Sequence, residues 1–239
     1  MSGTADDRLQ VGLLLCDHLD DDMAAIEGDY PVLFPARFGP VGLDLRIYEC
    51  TQGEFPERTD ECDGFITSGS RRSAYEDLDW IRDLNAFQRR LVDDGVKQVG
   101  ICFGHQTIAQ ALGGKVEKAA AGWGVGVKTF DVVAEVPCMD PGREQFNILM
   151  SHQDQVVELP DGADVIATAD YCPVGGWVLD DLVLCVQGHP EFVPGLSRGL
   201  IGKRRELIGA EVCDPALDSL SLPLDHDTVA AWMARFLAG

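Results

Sequence analysis

The most informative segment of this chain of 239 residues is Gly100-Ile101-Cys102-Phe103-Gly104. A strand-like run at residues 96–101 leads into it, and a helix-compatible run at residues 106–112 follows it. Glycines two residues before and after a central nucleophile mark a sharp strand-to-helix turn. Glycine suits both places because a Cβ there would crowd the close approach of strand, helix and substrate. The spacing therefore predicts that the turn lifts the side chain of Cys102 clear of the backbone.

Cys102 is the candidate nucleophile of this turn. The N-terminus of the following helix carries about half a positive charge, which favours a thiolate over a thiol. The alternative interpretation is a packed cysteine, because free cysteines usually behave as small buried apolar side chains. The glycine frame favours the nucleophile, and a nucleophilic thiol requires a base.

The candidate base is His189, in the segment Gln187-Gly188-His189-Pro190-Glu191-Phe192. This segment follows a continuous apolar run at residues 182–186, which is typical of a buried strand. Chemistry in open α/β sheets lies at the carboxyl ends of strands, where both Cys102 and His189 are expected. Glu191 lies two residues further on, so in extended backbone it faces the same side as His189 and can orient the imidazole. Without the upstream turn, a turn histidine and a solvated carboxylate would be the simpler interpretation.

The rest of the chain predicts one α/β domain over residues 1–239, with a mostly parallel sheet and helices on both faces. Strand-like apolar runs recur at residues 11–15, 43–48, 64–67, 99–101, 146–150, 165–167 and 182–186. Residues 78–92 carry apolar side chains at helical spacing, and Pro194 suits the first turn of a helix within residues 192–207. Residues 1–9 form a mostly polar N-terminal segment, which is expected to be a flexible leader.

Composition excludes several classes of function. Forty acidic residues against nineteen basic ones give a net charge of −21, which argues against binding to nucleic acid or to anionic membranes. No apolar run is long enough to span a bilayer, and residues 1–10 do not resemble a secretory signal. The eight cysteines lack metal-ligand spacing, so we expect no metal, no cofactor and a reducing, cytoplasmic location.

Three motifs together resemble the class I glutamine amidotransferase family. The first two are residues 100–106 (GICFGHQ) and residues 188–191 (GHPE). The third, residues 151–156 (SHQDQV), is similar to a segment in the glutaminase part of GMP synthase and its relatives. The motifs occur in the order found in that family, and the resemblance covers roughly residues 10–210.

The resemblance implies a role for each matching residue. Cys102 attacks the γ-amide carbon of glutamine and forms a γ-glutamyl thioester. His189 serves as base and acid, and Glu191 orients the imidazole of His189. Gln106 contacts the substrate, and backbone groups of Ser151 and His152 contact its α-carboxylate. The oxyanion hole uses the backbone N–H of Phe103 and a second N–H from the loop after residues 64–67, where Gly69 stands.

That loop departs from the pattern of the family, which usually has proline-glycine-glycine there. This chain has Ser68-Gly69-Ser70, followed by two arginines, Arg71 and Arg72, and by Tyr75 a few residues on. An arginine can bind a distal substrate carboxylate in a bidentate manner, and a solvated surface charge is the simpler alternative for either one.

Several functions follow from the motifs. The first is a free-standing hydrolase of γ-glutamyl amides or peptides, and the second is a glutaminase subunit that delivers ammonia to a separate synthetase. The chain contains no phosphate-binding loop of the type G-x-x-x-x-G-K-[ST], so a complete synthetase is not encoded here. The third is a non-catalytic binding relative of the fold, against which the presence of Cys102, His189 and Glu191 argues.

Overall fold

The computed structural model describes residues 8–239, which form a large sheet covered by helices. The strands in chain order are β1 Leu9–Leu15, β2 Leu43–Glu49, β3 Gly64–Thr67, β4 Gln98–Ile101, β5 Lys115–Lys118, β6 Gly124–Val132, β7 Gln145–His152, β8 Asp154–Glu158, β9 Asp164–Ala169, β10 Cys172–Leu179 and β11 Val183–Val186. The α-helices are α1 Asp21–Glu27, α2 Tyr30–Phe38, α3 Asp79–Asp93, α4 Phe103–Ala111, α5 Pro194–Lys203, α6 Arg205–Ile208, α7 Ala210–Ser219 and α8 His226–Ala238.

The main sheet has the strand order β2-β1-β3-β4-β11-β10-β9-β6-β7, and β5 pairs with β8 separately. The five strands from β2 to β11 run parallel, and the pairs beyond β11 are antiparallel. The predicted α/β fold with a mostly parallel sheet is confirmed. The antiparallel extension by β10, β9, β6 and β7 was not predicted, because the sequence pattern shows which segments are extended but not which ones pair.

Alternation along the buried strands places an apolar core on each face of the sheet. In β1, Leu13 and Leu15 pack into one core with residues of α2, α5 and α8, whereas Leu14 packs into the other with α3 and α4. Successive side chains of a strand point to opposite faces, so an uninterrupted apolar run fills both cores. The apolar stripe predicted in residues 78–92 is the buried face of α3.

Two predicted boundaries differ from the structure. The expected leader, residues 1–9, overlaps the sheet, because Leu9 begins β1 and Arg8 Nη2 donates to the carbonyl of Leu43 at 2.9 Å. Residues 1–7 of that leader lie outside the described residues. The helical segment predicted within residues 192–207 is interrupted at Arg204, between α5 and α6. None of the helices in residues 8–239 combines the length and the apolarity that crossing a bilayer requires.

Candidate active site

The backbone at Cys102 adopts a conformation that L-residues rarely hold. Cys102 has φ 52° and ψ −99°, between the last residue of β4 and the first residue of α4. Its N–H donates to the carbonyl of Val186 at 3.0 Å, and its carbonyl accepts from the N–H of Gln106 at 3.1 Å. Strain of this kind persists only where the surroundings over-determine it, and it concentrates at functional sites. The predicted sharp turn is present.

The two framing glycines are required by close contacts. A Cβ on Gly104 would lie 2.4 Å from the carbonyl oxygen of Thr67, at the end of β3. A Cβ on Gly100 would lie 2.7 Å from the backbone of Gly104 and 2.8 Å from Cys185 Sγ. Distances below 3.0 Å to backbone atoms cannot be relieved by rotating a side chain. The glycines therefore let α4 begin directly against β3 and β4.

Burial alone does not distinguish Cys102 from the other cysteines. All eight are free and buried, and Cys102 is 4% exposed. The difference lies in its surroundings, because Cys102 borders a cleft of about 410 Å³. This cleft opens at the carboxyl ends of β1, β3 and β4, and its lining includes Gln106, Ser151, His152 and His189. No other cysteine among residues 8–239 lines the cleft.

His189 and Glu191 form a buried pair beside the cleft. His189 Nδ1 lies 2.8 Å from Glu191 Oε1, and the side chains are 3% and 0% exposed. The imidazole stacks on the ring of Phe192, with the ring centroids 3.9 Å apart and the planes 15° from parallel. The N–H of His189 donates to the carbonyl of Leu149 at 2.9 Å, which anchors the segment to β7. The ring is therefore held by Glu191 and Phe192, and the backbone of the residue is held by Leu149.

Gly69 shows how close the imidazole and the thiol are. A Cβ built on Gly69 would lie 2.8 Å from His189 Cε1 and 3.8 Å from Cys102 Cβ. Both groups thus border the same small space. Within the described residues, Nε2 of His189 makes no hydrogen bond, so this nitrogen is not committed to a structural partner.

The electrostatics of the pair favour a protonated imidazole. Burial by itself lowers the pKa of His189, but the Cys102 thiolate and the Glu191 carboxylate outweigh it and raise the pKa to about 10. Two other histidines have the opposite shift: burial lowers the pKa of His105 to about 3 and that of His152 to about 4. Among these three, only His189 has a carboxylate side chain as its hydrogen-bond partner.

The predicted oxyanion donors come from two segments that a backbone hydrogen bond joins. The N–H of Phe103 is the first amide of α4, where helix amides have no intrahelical acceptor. Among the described residues, neither this N–H nor that of Gly69 donates a hydrogen bond. The Gly104 N–H donates to the Ser68 carbonyl at 3.1 Å, which ties the turn to the loop after β3. Two free amides thus lie near the thiol of Cys102.

The three residues predicted to contact substrate all line the cleft. Gln106 Nε2 donates to the carbonyl of Asp154 at 2.7 Å and to Gln187 Oε1 at 3.0 Å, so its amide is held in place. His152 Nδ1 lies 3.0 Å from the same carbonyl. Ser151 Oγ accepts a hydrogen bond from Arg204 Nη1 at 2.9 Å. The structure thus brings the predicted site residues together around one cleft.

Arg71 is bound within the protein, which neither of the two interpretations from the sequence predicted. We call residues 68–75 the cleft loop. Arg71 Nε donates to both carboxylate oxygens of Asp17 at 2.9 and 3.0 Å, and Nη1 donates to Asp20 at 2.8 Å. Its Nη2 donates to the carbonyl of His18. Because its nitrogens are committed to this chain, Arg71 is a clamp on the cleft loop rather than a free substrate ligand.

Arg72 and Tyr75 lie at the rim of the cleft. The Arg72 side chain is 55% exposed and its Nη1 lies 3.4 Å from Glu76, a weak surface pair. Tyr75 donates from its hydroxyl to Asp154 Oδ1 at 3.2 Å. The solvated-charge interpretation of Arg72 fits this placement better than a buried carboxylate site.

Sequence reasoning missed Tyr30 and Arg204, which also line the cleft. Tyr30 begins α2 and stacks on Phe192, with the ring centroids 6.3 Å apart. Burial and the nearby charge of Glu191 raise the pKa of its phenol. Neither residue belongs to a recognisable motif. Only the meeting of α2, α5 and β7 brings them to the cleft.

Comparison of the sequence with known proteins agrees with this geometry. Residues 35–204 match the family described as Glutamine amidotransferase class-I. Gamma-glutamyl peptidase 2 of Arabidopsis thaliana is 34% identical over 81% of this chain and 81% of its own length. A GMP synthase of Aromatoleum aromaticum is 37% identical over 54% of this chain but only 25% of its own length.

Solved structures show the same fold at low sequence identity. The crystal structure of a glutamine amidotransferase from Thermotoga maritima superposes with a TM-score of 0.73 at 17% identity, covering 96% of this chain and 99% of that one. The family match spans well over half of the chain and contains the turn at Cys102 and the pair of His189 and Glu191. The chain therefore belongs to the class I glutamine amidotransferase family.

Proposed function

We propose that this chain hydrolyses the γ-glutamyl amide bond of small γ-glutamyl peptides through a thioester on Cys102. The observation that carries the proposal is the strained turn that presents Cys102 to the buried pair of His189 and Glu191 in one cleft. A nucleophile, a base and a group that orients the base are the parts that acyl transfer requires.

In the acylation step, the Cys102 sulfur attacks the γ-carbonyl carbon while His189 carries the thiol proton. The carbonyl oxygen gains negative charge, which the amides of Gly69 and Phe103 stabilise; one such donor contributed about 2.7–4 kcal/mol in a measured case. The C–N bond then breaks, and His189 gives its proton to the leaving nitrogen. The raised pKa of His189 supports this role as acid, because the imidazole holds its proton until the leaving group accepts it.

In the deacylation step, a water molecule replaces the leaving amine. His189 takes a proton from the water, whose oxygen attacks the thioester carbon. The C–S bond breaks, the proton returns to sulfur, and glutamate leaves. Glu191 acts throughout by holding the imidazole, since its Oε1 contacts Nδ1 and leaves Nε2 for the reaction.

A peptide substrate is favoured over glutamine by two observations. The relative with 34% identity over 81% of the chain is named a gamma-glutamyl peptidase. The cleft of about 410 Å³ falls in the range of pockets that hold molecules larger than one amino acid. The eight free thiols are consistent with a reducing compartment, which supports the predicted cytoplasmic location.

The second candidate is a glutaminase subunit that works with a separate synthetase. The match to GMP synthase favours it, because only a quarter of that longer protein corresponds to this chain. Both candidates use the same chemistry at Cys102. They differ in whether the purified chain works alone and in which substrate it prefers.

The test is steady-state hydrolysis by the purified chain, with γ-L-glutamylglycine and L-glutamine as substrates and glutamate as the measured product. We expect faster turnover of the peptide and a loss of about 10³-fold or more in Cys102→Ala. Cys62→Ala is the matched control, because Cys62 is buried to a similar degree but lies outside the cleft. Full activity in Cys102→Ala refutes the thioester, and activity on glutamine only after a synthetase is added refutes the free-standing hydrolase.

A further inference from the structure

Arg204 differs from the other arginines and lysines that line the cleft because it is partly buried and, within residues 8–239, makes no ion pair. Arg71 pairs with Asp17 and Asp20, Lys203 pairs with Asp20 and Asp22, and Arg72 lies near Glu76. Lys118, at the end of β5, is exposed to water. Arg204 is only partly exposed, and it makes no ion pair within residues 8–239.

The backbone and one hydrogen bond hold Arg204 at the cleft wall. It directly follows α5, its carbonyl accepts from the N–H of Ile208 at 2.9 Å, and its own N–H donates to the Leu200 carbonyl at 3.1 Å. Its Nη1 donates to Ser151 Oγ at 2.9 Å. Its Nε and Nη2 donate to no atom of the described residues, so the guanidinium keeps donors for a ligand.

Arg204 also shares the cleft with the reacting groups. It lines the same cleft as Cys102 and His189, and it is bonded to Ser151, the neighbour of His152. A γ-glutamyl group carries its α-carboxylate only four bonds from the carbonyl carbon, so one such group can contact Cys102 and this wall at once.

We propose that Arg204 is a specificity-determining residue that binds the α-carboxylate of the γ-glutamyl group. The proposal rests on the function proposed above. A guanidinium binds a carboxylate through parallel N–H donors, and the bond to Ser151 holds its plane in place. Beside the backbone groups of Ser151 and His152 that are expected to contact this carboxylate, a local cation offsets the net charge of −21, which repels an anionic substrate.

The experiment uses two probes, γ-L-glutamylglycine and its analogue with an α-carboxamide. Binding to Cys102→Ala, which holds the probe without turnover, is measured by titration calorimetry. We expect Arg204→Ala to weaken binding of the carboxylate probe by about 10–100-fold and to leave the carboxamide probe unchanged. In the active chain the same change raises KM by a similar factor, whereas kcat changes little.

Three variants complete the design. Arg198→Ala removes the same charge from an exposed position on α5 outside the cleft, and we expect it to bind both probes as the parent does. Arg204→Gln keeps a donor for Ser151 without the charge, and should lose the preference for the carboxylate. Arg204→Lys keeps a charge without the planar arrangement of donors, and should recover part of the preference for the carboxylate.

Equal weakening of both probes by Arg204→Ala, or no weakening, overturns the proposal. A chain that binds neither probe overturns it as well. Selective binding through Arg204 without any hydrolysis would refute the proposed function and leave the role of Arg204 standing. Hydrolysis with an unchanged KM in Arg204→Ala would refute only the role of Arg204.

Discussion

The turn at residues 100–104 and the cleft loop at residues 68–75 flank the same thiol but obtain their shapes in different ways. Both follow neighbouring parallel strands, β4 and β3, and each offers a free backbone N–H. The turn is shaped by its two glycines, which permit close contacts with the backbone of the turn, with the end of β3 and with Cys185 of β11. The cleft loop is held by residues far along the chain, since Arg71 bonds to Asp17 and Tyr75 bonds to Asp154.

The difference explains which parts of the site a sequence can reveal. A turn that needs glycine at two fixed places leaves a pattern that can be recognised in one short segment. A loop held by distant ion pairs leaves none, because an arginine bound to its own protein and an arginine free for substrate look identical in sequence. We therefore expect a single substitution in the turn to cause a large loss of activity, and a single substitution in the cleft loop to cause a smaller loss.

The largest effect is expected from Gly104→Ala. The added Cβ would lie 2.4 Å from the Thr67 carbonyl oxygen, so α4 must move away from β3 and carry Cys102 with it. Overpacking of this kind costs about 1–3 kcal/mol, and a displacement of about 1 Å at a reacting group can cost about 10²-fold in rate. Denaturant unfolding and the γ-glutamylglycine assay measure the two losses.

The matched control is Gly202→Ala, in α5. A Cβ there meets nothing within 4 Å and the backbone is helical, so stability should stay the same or rise slightly. Equal activity losses in the two variants would show that the close contact at Gly104 does not position the nucleophile.

A smaller effect is expected from Arg71→Ala. Removing the clamp loosens the cleft loop and the amide of Gly69, so the rate should fall about 10-fold. The free energy of unfolding should change by about 1 kcal/mol or less, because the Arg71 side chain is 45% exposed and water screens its ion pairs. Arg72→Ala, with its single weak pair, is the comparison variant and should stay near the parent in both measurements.

A comparison of two substrates distinguishes a clamping role of Arg71 from direct binding of the substrate. If Arg71 acts only through the loop, γ-L-glutamylglycine and γ-L-glutamylglycinamide should lose rate by the same factor. A loss confined to the substrate with a C-terminal carboxylate would mean that Arg71 binds that group directly, as the sequence suggested.

The smallest effect is expected from a change of pH acting on His18, in the loop after β1 to which Arg71 bonds. Its Nδ1 faces Asp29 and its Nε2 lies 2.9 Å from Glu49. Burial lowers its pKa, but the two carboxylates outweigh this and raise it. A raised pKa gives stability that is complete below about pH 6.5 and is lost as the pH rises through the folded-state pKa.

His18→Gln should therefore lower the melting temperature more at pH 6 than at pH 9. The His18 side chain is 41% exposed, so screening limits its contribution to about 1 kcal/mol or less. A loss of the same size at both pH values would indicate a packing role and no contribution from the charge.

The sequence predicted the parts of the site that depend on short patterns. The glycines around Cys102 predicted the turn, and the spacing of His189 and Glu191 predicted a pair that the structure shows at 2.8 Å. Arg204 could not be predicted, because its place depends on where α5 ends relative to β7. The antiparallel strands beyond β11 were missed for a similar reason, since pairing partners leave no mark within a single strand.

The most direct test of the central claim is to trap the reaction on the enzyme. The purified chain is mixed with γ-L-glutamylglycine, quenched in acid during turnover and examined by mass spectrometry, intact and after digestion. We predict an added mass of one γ-glutamyl group per chain, on the peptide that contains Cys102, and its absence in Cys102→Ala. Steady turnover with an unmodified Cys102, or an adduct on another cysteine such as Cys16 or Cys185, would contradict the account.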